Sequence, residues 1–133
     1  MRLLLDTSAY SAFMRGHPDI KHVLQQAEAI SFNPIVLGEL RAGIRRGRRL
    51  EKNEETLGTF MDSPRVHLVS LDEDTSERYA VILNTLWTAG TPIPTNDVWI
   101  AASAMQHGLS ILTTDAHYRA VPQIRVEYYN PLS

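Results

Sequence analysis

Residues 3–8 read Leu3-Leu4-Leu5-Asp6-Thr7-Ser8, and the fold turns on how this stretch is read. Three apolar residues bounded by polar ones predict a short strand buried on both faces, as the strands of a parallel sheet are. The strand stops at a carboxylate followed by two hydroxyls. In an open α/β sheet, ligands bind outside the carboxyl ends of the strands, so Asp6 is either a strand stop or a piece of a site.

Working outward, Thr7 to Arg15 predicts a short helix ended by Gly16, and Pro18 opens a second through Ile20, Val23, Leu24 and Ala27. Ala29 to Phe32 alternates briefly. Asn33-Pro34 then pairs a capping amide with a proline suited to the first helical turn, predicting a helix from Ile35 to about Arg46 with a break at Gly47. A polar surface helix follows from Arg48 to Met61, with apolar points at Leu50, Leu57 and Phe60, and ends at Ser63-Pro64. Val66, Leu68, Val69 and Leu71 read as a strand. Asp72 to Ser76 caps a helix whose inner face is Tyr79, Ala80, Ile82, Leu83 and Leu86, closed by Gly90. The turn-rich TPIPTN at 91–96 leads into a helix from Asp97 to His107, closed by Gly108. Ile111-Leu112 makes another buried strand ending at Asp115, and Ile124, Val126 and Tyr128 alternate as a last one. Strands separated by helices predict an α/β sandwich on a mainly parallel sheet.

Composition narrows the chemistry. The 133 residues are 44% hydrophobic, enough for one domain over 1–133 with a real core. Thirteen Lys and Arg against fifteen Asp and Glu leave a net charge of −2, so attraction to phosphate must be local. Without cysteine there are no disulfides, no thiolate chemistry and no Cys-based zinc site; carboxylates must do any metal work. Asp6 interrupts the N-terminal apolar run well short of the roughly 7–15 residues of a signal h-region, and no later stretch is long enough to cross a bilayer. A soluble, cytoplasmic protein without a membrane role is expected.

Four carboxylates stand out. Strands of a parallel sheet point the same way, so Asp6 and Asp115 leave at one edge and become neighbours despite their distance in sequence. Either could alone be a strand terminator or a cap. Glu39 stands four residues after Ile35 and three after Val36, on the face those residues use to pack. It needs a partner there, or lies at the stripe boundary with its carboxylate in water. Gly38 and Gly43 beside it would let another element approach closely. Asp97 suits the first helical turn by the helix dipole alone. Yet it follows a proline-stiffened loop, and Ala101, Ala102 and Ala104 behind it are small enough to draw the helix tightly onto the sheet.

The stretches LLLDTSAY at 3–10, VLGEL at 36–40, PTNDVWIAASA at 94–104 and LTTDAHY at 112–118 together resemble the four motifs of PIN-domain nucleases, in particular the VapC-type toxin ribonucleases. The resemblance implies a Rossmann-like three-layer sandwich around a mainly parallel five-stranded sheet. It also implies an acidic pocket that binds Mg²⁺ or Mn²⁺ and cuts RNA. By motif position the catalytic and metal-holding acids fall on Asp6, Glu39, Asp97 and Asp115, supported by Thr7 or Ser8, Asn96, and Thr113 or Thr114. Such an ion wants hard oxygen ligands; it lowers the pKa of a water and supports the charge growing on phosphorus. Asp6 and Asp97 would be the firmest ligands, one ending a strand and the other starting a rigidly held helix, while Glu39 and Asp115 would orient water or complete the shell. Without a cation the acids repel, so some should titrate high. The family also implies a small antitoxin partner and a homodimer, for which Leu24, Leu50, Leu57 and Phe60 would offer exposed apolar surface.

Other features carry less. Arg41, Arg45, Arg48 and Arg49 should lie near one side of a helix, as a solvated surface or as a contact for RNA or for an antitoxin. His107 and His117 read as structural, and Trp87, Trp99, Tyr79 and Phe60 as core packing or a dimer surface. An aspartyl-nucleophile phosphatase would want an acid where Ser8 stands. A receiver-like metal-binding module would want a late lysine, but Lys21 and Lys52 are the only two.

Overall fold

The computed structural model describes residues 1–132. Its centre is a five-stranded sheet of order β3-β2-β1-β4-β5, built from β1 (Arg2–Leu5), β2 (Ala29–Phe32), β3 (Val66–Leu68), β4 (Ser110–Thr113) and β5 (Arg125–Tyr128). Every pairing is parallel. Leu3, Leu4, Leu5, Ile111 and Leu112 are fully buried, which demands helices on both faces of the sheet. Those helices are α1 (Thr7–Met14), α2 (Pro18–Gln26), α3 (Pro34–Arg46), α4 (Leu50–Met61), α5 (Glu73–Ala89) and α6 (Thr95–His107). A 3-10 turn at Ala116–Ala120 separates β4 from β5.

From β1 the chain adds β2 and then β3 on one side, and β4 and β5 on the other. The order therefore reverses between β1 and β4, where an open sheet leaves a crevice at its carboxyl edge. Leu5 lies opposite Leu112 in the register, and the Asp6 amide donates to the Leu112 carbonyl at 3.3 Å. Asp6 is thereby set beside Thr113 at the reversal.

Local chemistry explains most boundaries. The Asn33 side chain accepts from the Val36 amide and caps α3, with Pro34 in the first turn. Asp72 and Thr75 form a reciprocal cap at the start of α5. Gly90 and Gly108 adopt left-handed φ of 72° and 64° to end α5 and α6.

Several expectations change. β3 ends at Leu68 rather than Leu71 because it is a solvent-facing edge strand; only the Val69 amide continues the pairing, to the Phe32 carbonyl. On α5, Ala80 is exposed, while Thr75, Ile82 and Leu86 are buried with Tyr79 and Leu83 partly so. β5 starts at Arg125, one residue after Ile124. The arginines do not share one helix: Gly47 separates Arg41 and Arg45 on α3 from Arg48 and Arg49 ahead of α4. A Cβ added at Gly38 or Gly43 would meet nothing within 4 Å, so neither glycine serves a close approach. Leu24 and Leu57 are buried, and Phe60 packs in an aromatic cluster with Tyr10, Phe13 and Phe32. Only Leu50 of the four expected surface residues is exposed; Met1, Met14, Leu68, Val81, Leu132 and, most of all, Trp87 are exposed as well. Among the described residues no helix is long and apolar enough to cross a membrane.

Candidate active site

The carboxylate of Asp6 is buried and held by three donors. Oδ1 accepts from the Ala9 amide and the Ser8 hydroxyl, both at 2.8 Å, and Oδ2 accepts from Thr113 Oγ1 at 2.7 Å. Each hydroxyl has a single proton and turns it towards Asp6. Their lone pairs are then free for the backbone: Ser8 Oγ accepts from the Thr114 amide at 3.0 Å and Thr113 Oγ1 from the Asp115 amide at 2.8 Å. This lattice clamps the end of β1 to the end of β4. Burial nevertheless outweighs the three donors and pushes the Asp6 carboxyl up to about 6; the Asp115 charge adds a smaller push in the same direction.

Asp97 is on the third residue of α6, not at its cap, because the helix begins at Thr95 behind Pro94. Its oxygens do not bind the helix amides. Oδ1 accepts from the Tyr118 hydroxyl at 3.2 Å and Oδ2 meets His117 Nδ1 at 3.1 Å. Burial raises the Asp97 carboxyl, opposed by the His117 hydrogen bond. Tyr118 is itself buried, and burial followed by the Asp6 and Asp97 charges holds its phenol far above the usual range, so it stays a donor. Acids were expected to titrate high because they repel; at Asp6 and Asp97 the larger cause is desolvation.

Asp115 follows β4 and its Oδ1 accepts from the His117 amide at 2.9 Å, starting the 3-10 turn. The same oxygen lies 3.2 Å from His117 Nδ1. Among the described residues, no hydrogen bond reaches Asp115 Oδ2, and no Lys or Arg nitrogen lies within 4 Å of any of these carboxylates. Ligand atoms of Asp97, Asp115 and His117 all lie within 4.8 Å of one another. Glu39 is half-buried on α3. It takes the Thr7 hydroxyl at 2.7 Å and the Asn96 amide at 3.3 Å, so its partners are the chain neighbours of Asp6 and Asp97. It lines a cleft of about 380 Å³ bounded by Thr7, Tyr10, Met14, Ile44 and Thr56, which opens beside Glu39 rather than over Asp97 and Asp115.

Two contributors were not anticipated from sequence. His117 looked structural, yet its ring nitrogen faces both Asp97 and Asp115; Tyr118 drew no attention. Their signal lies in LTTDAHY itself, since a turn that begins at Asp115 brings the side chains two and three residues on, His117 and Tyr118, back towards α6.

A model of the PIN domain matches residues 3–124. The chain belongs to the PIN-domain family. Ribonuclease VapC4 of Mycobacterium tuberculosis is 38% identical over 125 residues, spanning 94% of this chain and 95% of that protein. Ribonuclease VapC1 of Rickettsia felis is 35% identical over 115 residues, 85% and 84% of the two chains. Among solved structures, VapBC2 of Rickettsia felis bound to a promoter DNA fragment matches with a TM-score of 0.83 at 22% identity, covering 98% of this chain and all of that one. FitAcB of Neisseria gonorrhoeae matches at 0.74 and 27%, covering 93% and 95%. In this PIN domain the four carboxylates singled out from sequence lie just after β1, on α3, on α6 and just after β4.

Proposed function

We propose that this PIN-domain chain is an endoribonuclease dependent on Mg²⁺ or Mn²⁺, acting as the toxin of a toxin–antitoxin pair. The observation that carries the reading is the meeting of Asp97 and Asp115 beside buried Asp6 at the carboxyl edge where the strand order reverses, in a chain 38% identical to a ribonuclease over nearly its whole length. The donor set fits a hard divalent ion. Carboxylate oxygens dominate it, and among the described residues no Lys or Arg neutralises it and no hydrogen bond reaches Asp115 Oδ2. When bound, such an ion supplies Lewis acidity for the attack of water on an RNA phosphodiester.

The residues divide the remaining work. Asp97 and Asp115 hold the ion, with Tyr118 fixing the Asp97 carboxylate by its hydroxyl. Asp6, expected from sequence among the firmest ligands, has its oxygens engaged by Ala9, Ser8 and Thr113; it is assigned instead the supply of negative charge from behind and, through Ser8 and Thr113, the positioning of the Asp115 backbone. Glu39, steadied by Thr7 and Asn96, orients the attacking water. The cleft beside Glu39 and the arginines around Gly47 supply apolar and basic contacts for an antitoxin or for RNA. Trp87 offers apolar surface for pairing with a second copy.

Cleavage of RNA by wild type, Asp6→Asn and Asp97→Asn, with Mn²⁺ or with EDTA, tests the reading. Both variants should fall by about a hundredfold or more while remaining folded, and EDTA should abolish cutting by wild type. Variants that cut like wild type, or cutting that survives EDTA, would overturn it in favour of a non-catalytic binding module.

A further inference from the structure

His117 is the one nitrogen-bearing side chain in a cluster otherwise made of carboxylates. The ring is half exposed, yet its Nδ1 points inward, 3.1 Å from Asp97 Oδ2 and 3.2 Å from Asp115 Oδ1. Two ligands at right angles on an octahedral ion with bonds of about 2.1 Å are separated by roughly 3.0 Å, and two opposite ligands by about 4.2 Å. The three ligand atoms, all within 4.8 Å of one another, match that span. The ring is also placed by its own backbone, because the His117 amide donates to the same Asp115 oxygen at 2.9 Å.

We propose that His117 Nδ1 is a ligand of the ion held by Asp97 and Asp115, and that it biases the site towards first-row transition ions over Mg²⁺. Mg²⁺ binds through oxygen and parts with water reluctantly, whereas imidazole suits transition ions. The inference rests on the acidic pocket being a metal centre, and its test separates the two ideas.

The test is direct metal binding, not activity. Metal-free wild type and His117→Asn are titrated with Mg²⁺, Mn²⁺ and Co²⁺ by calorimetry, and the visible absorption of the Co²⁺ forms is recorded. Any site of nitrogen and oxygen ligands favours Co²⁺ over Mg²⁺ to some degree, so the decisive quantity is the change on substitution. Loss of the imidazole should weaken Co²⁺ and Mn²⁺ about tenfold or more, change Mg²⁺ less than about threefold, and shift the Co²⁺ spectrum. Equal weakening of all three ions would show that His117 acts only through charge or position, and unchanged affinities that it is a bystander; each overturns the inference while leaving the metal centre intact. If wild type binds none of the ions, the metal centre itself fails. Thermal melts of the metal-free variants confirm that both are folded.

Discussion

At the scale of the residue, Asp6 sets a balance between solvation and hydrogen bonding. Three donors hold its carboxylate, yet burial keeps its pKa near 6, well above the 3.8 of a free side chain. Well below pH 4 the group is neutral in both states and folding carries no penalty; at pH 4 the unfolded side chain, with its pKa of 3.8, is already about half ionised while the folded one is still neutral. Between about pH 4 and 6 the unfolded chain gives up its proton first, so the native state loses ground; above 6 both states are ionised and the loss stays constant. A gap of this size corresponds to ~3 kcal/mol. Asp6→Asn in metal-free protein should therefore change stability little at pH 4, gain progressively to pH 6, and level off above it. Urea unfolding at pH 4, 5, 6 and 7.5 in EDTA checks this, and a gain independent of pH would contradict it. The hydroxyls of Ser8 and Thr113 can rotate to suit the amide, which makes Asn a fair neutral replacement.

Among the elements, α3 and α6 matter most because they carry Glu39 and Asp97. Asn33 ties them: fully buried, it accepts from the Val36 amide to cap α3 and donates to Ser103 Oγ of α6 at 3.0 Å. Asn33→Ala removes the cap and leaves two buried polar groups without partners, at a cost of about 2–3 kcal/mol. The urea midpoint should drop with an unchanged slope, and Ser103→Ala should cost less because the cap survives. The sequence showed Asn33 only as a cap. That difference is general here. Strand and helix positions were legible because Leu3–Leu5, Asn33-Pro34, Gly90 and Gly108 act locally, and the edge shared by Asp6 and Asp115 followed from parallel strands. What could not be read locally depends on contacts across elements: the partners of Glu39, the turn of His117 and Tyr118 back to Asp97, and the burial of Leu24 and Leu57 under neighbours.

For the molecule as a whole, the ligands of the acidic site meet only in the folded chain, so an ion that binds them stabilises the fold by mass action. At a hundred times its Kd the gain is about 2.7 kcal/mol. Melting temperature should rise by several degrees with millimolar Mn²⁺ and return with EDTA, while Asp97→Asn should show little response; a flat wild-type curve would count against the metal-binding reading. The strand order also has a consequence for synthesis. β1 is the first strand to leave the ribosome, but one of its two flanking partners is β4, and the Asp6–Thr113 hydrogen bond spans 107 residues. At roughly 5–20 residues per second, the N-terminal strand waits several seconds for that partner. A nascent chain paused anywhere before Asp115 has no complete acidic site, so whatever chemistry that site performs can begin only after synthesis has passed β4.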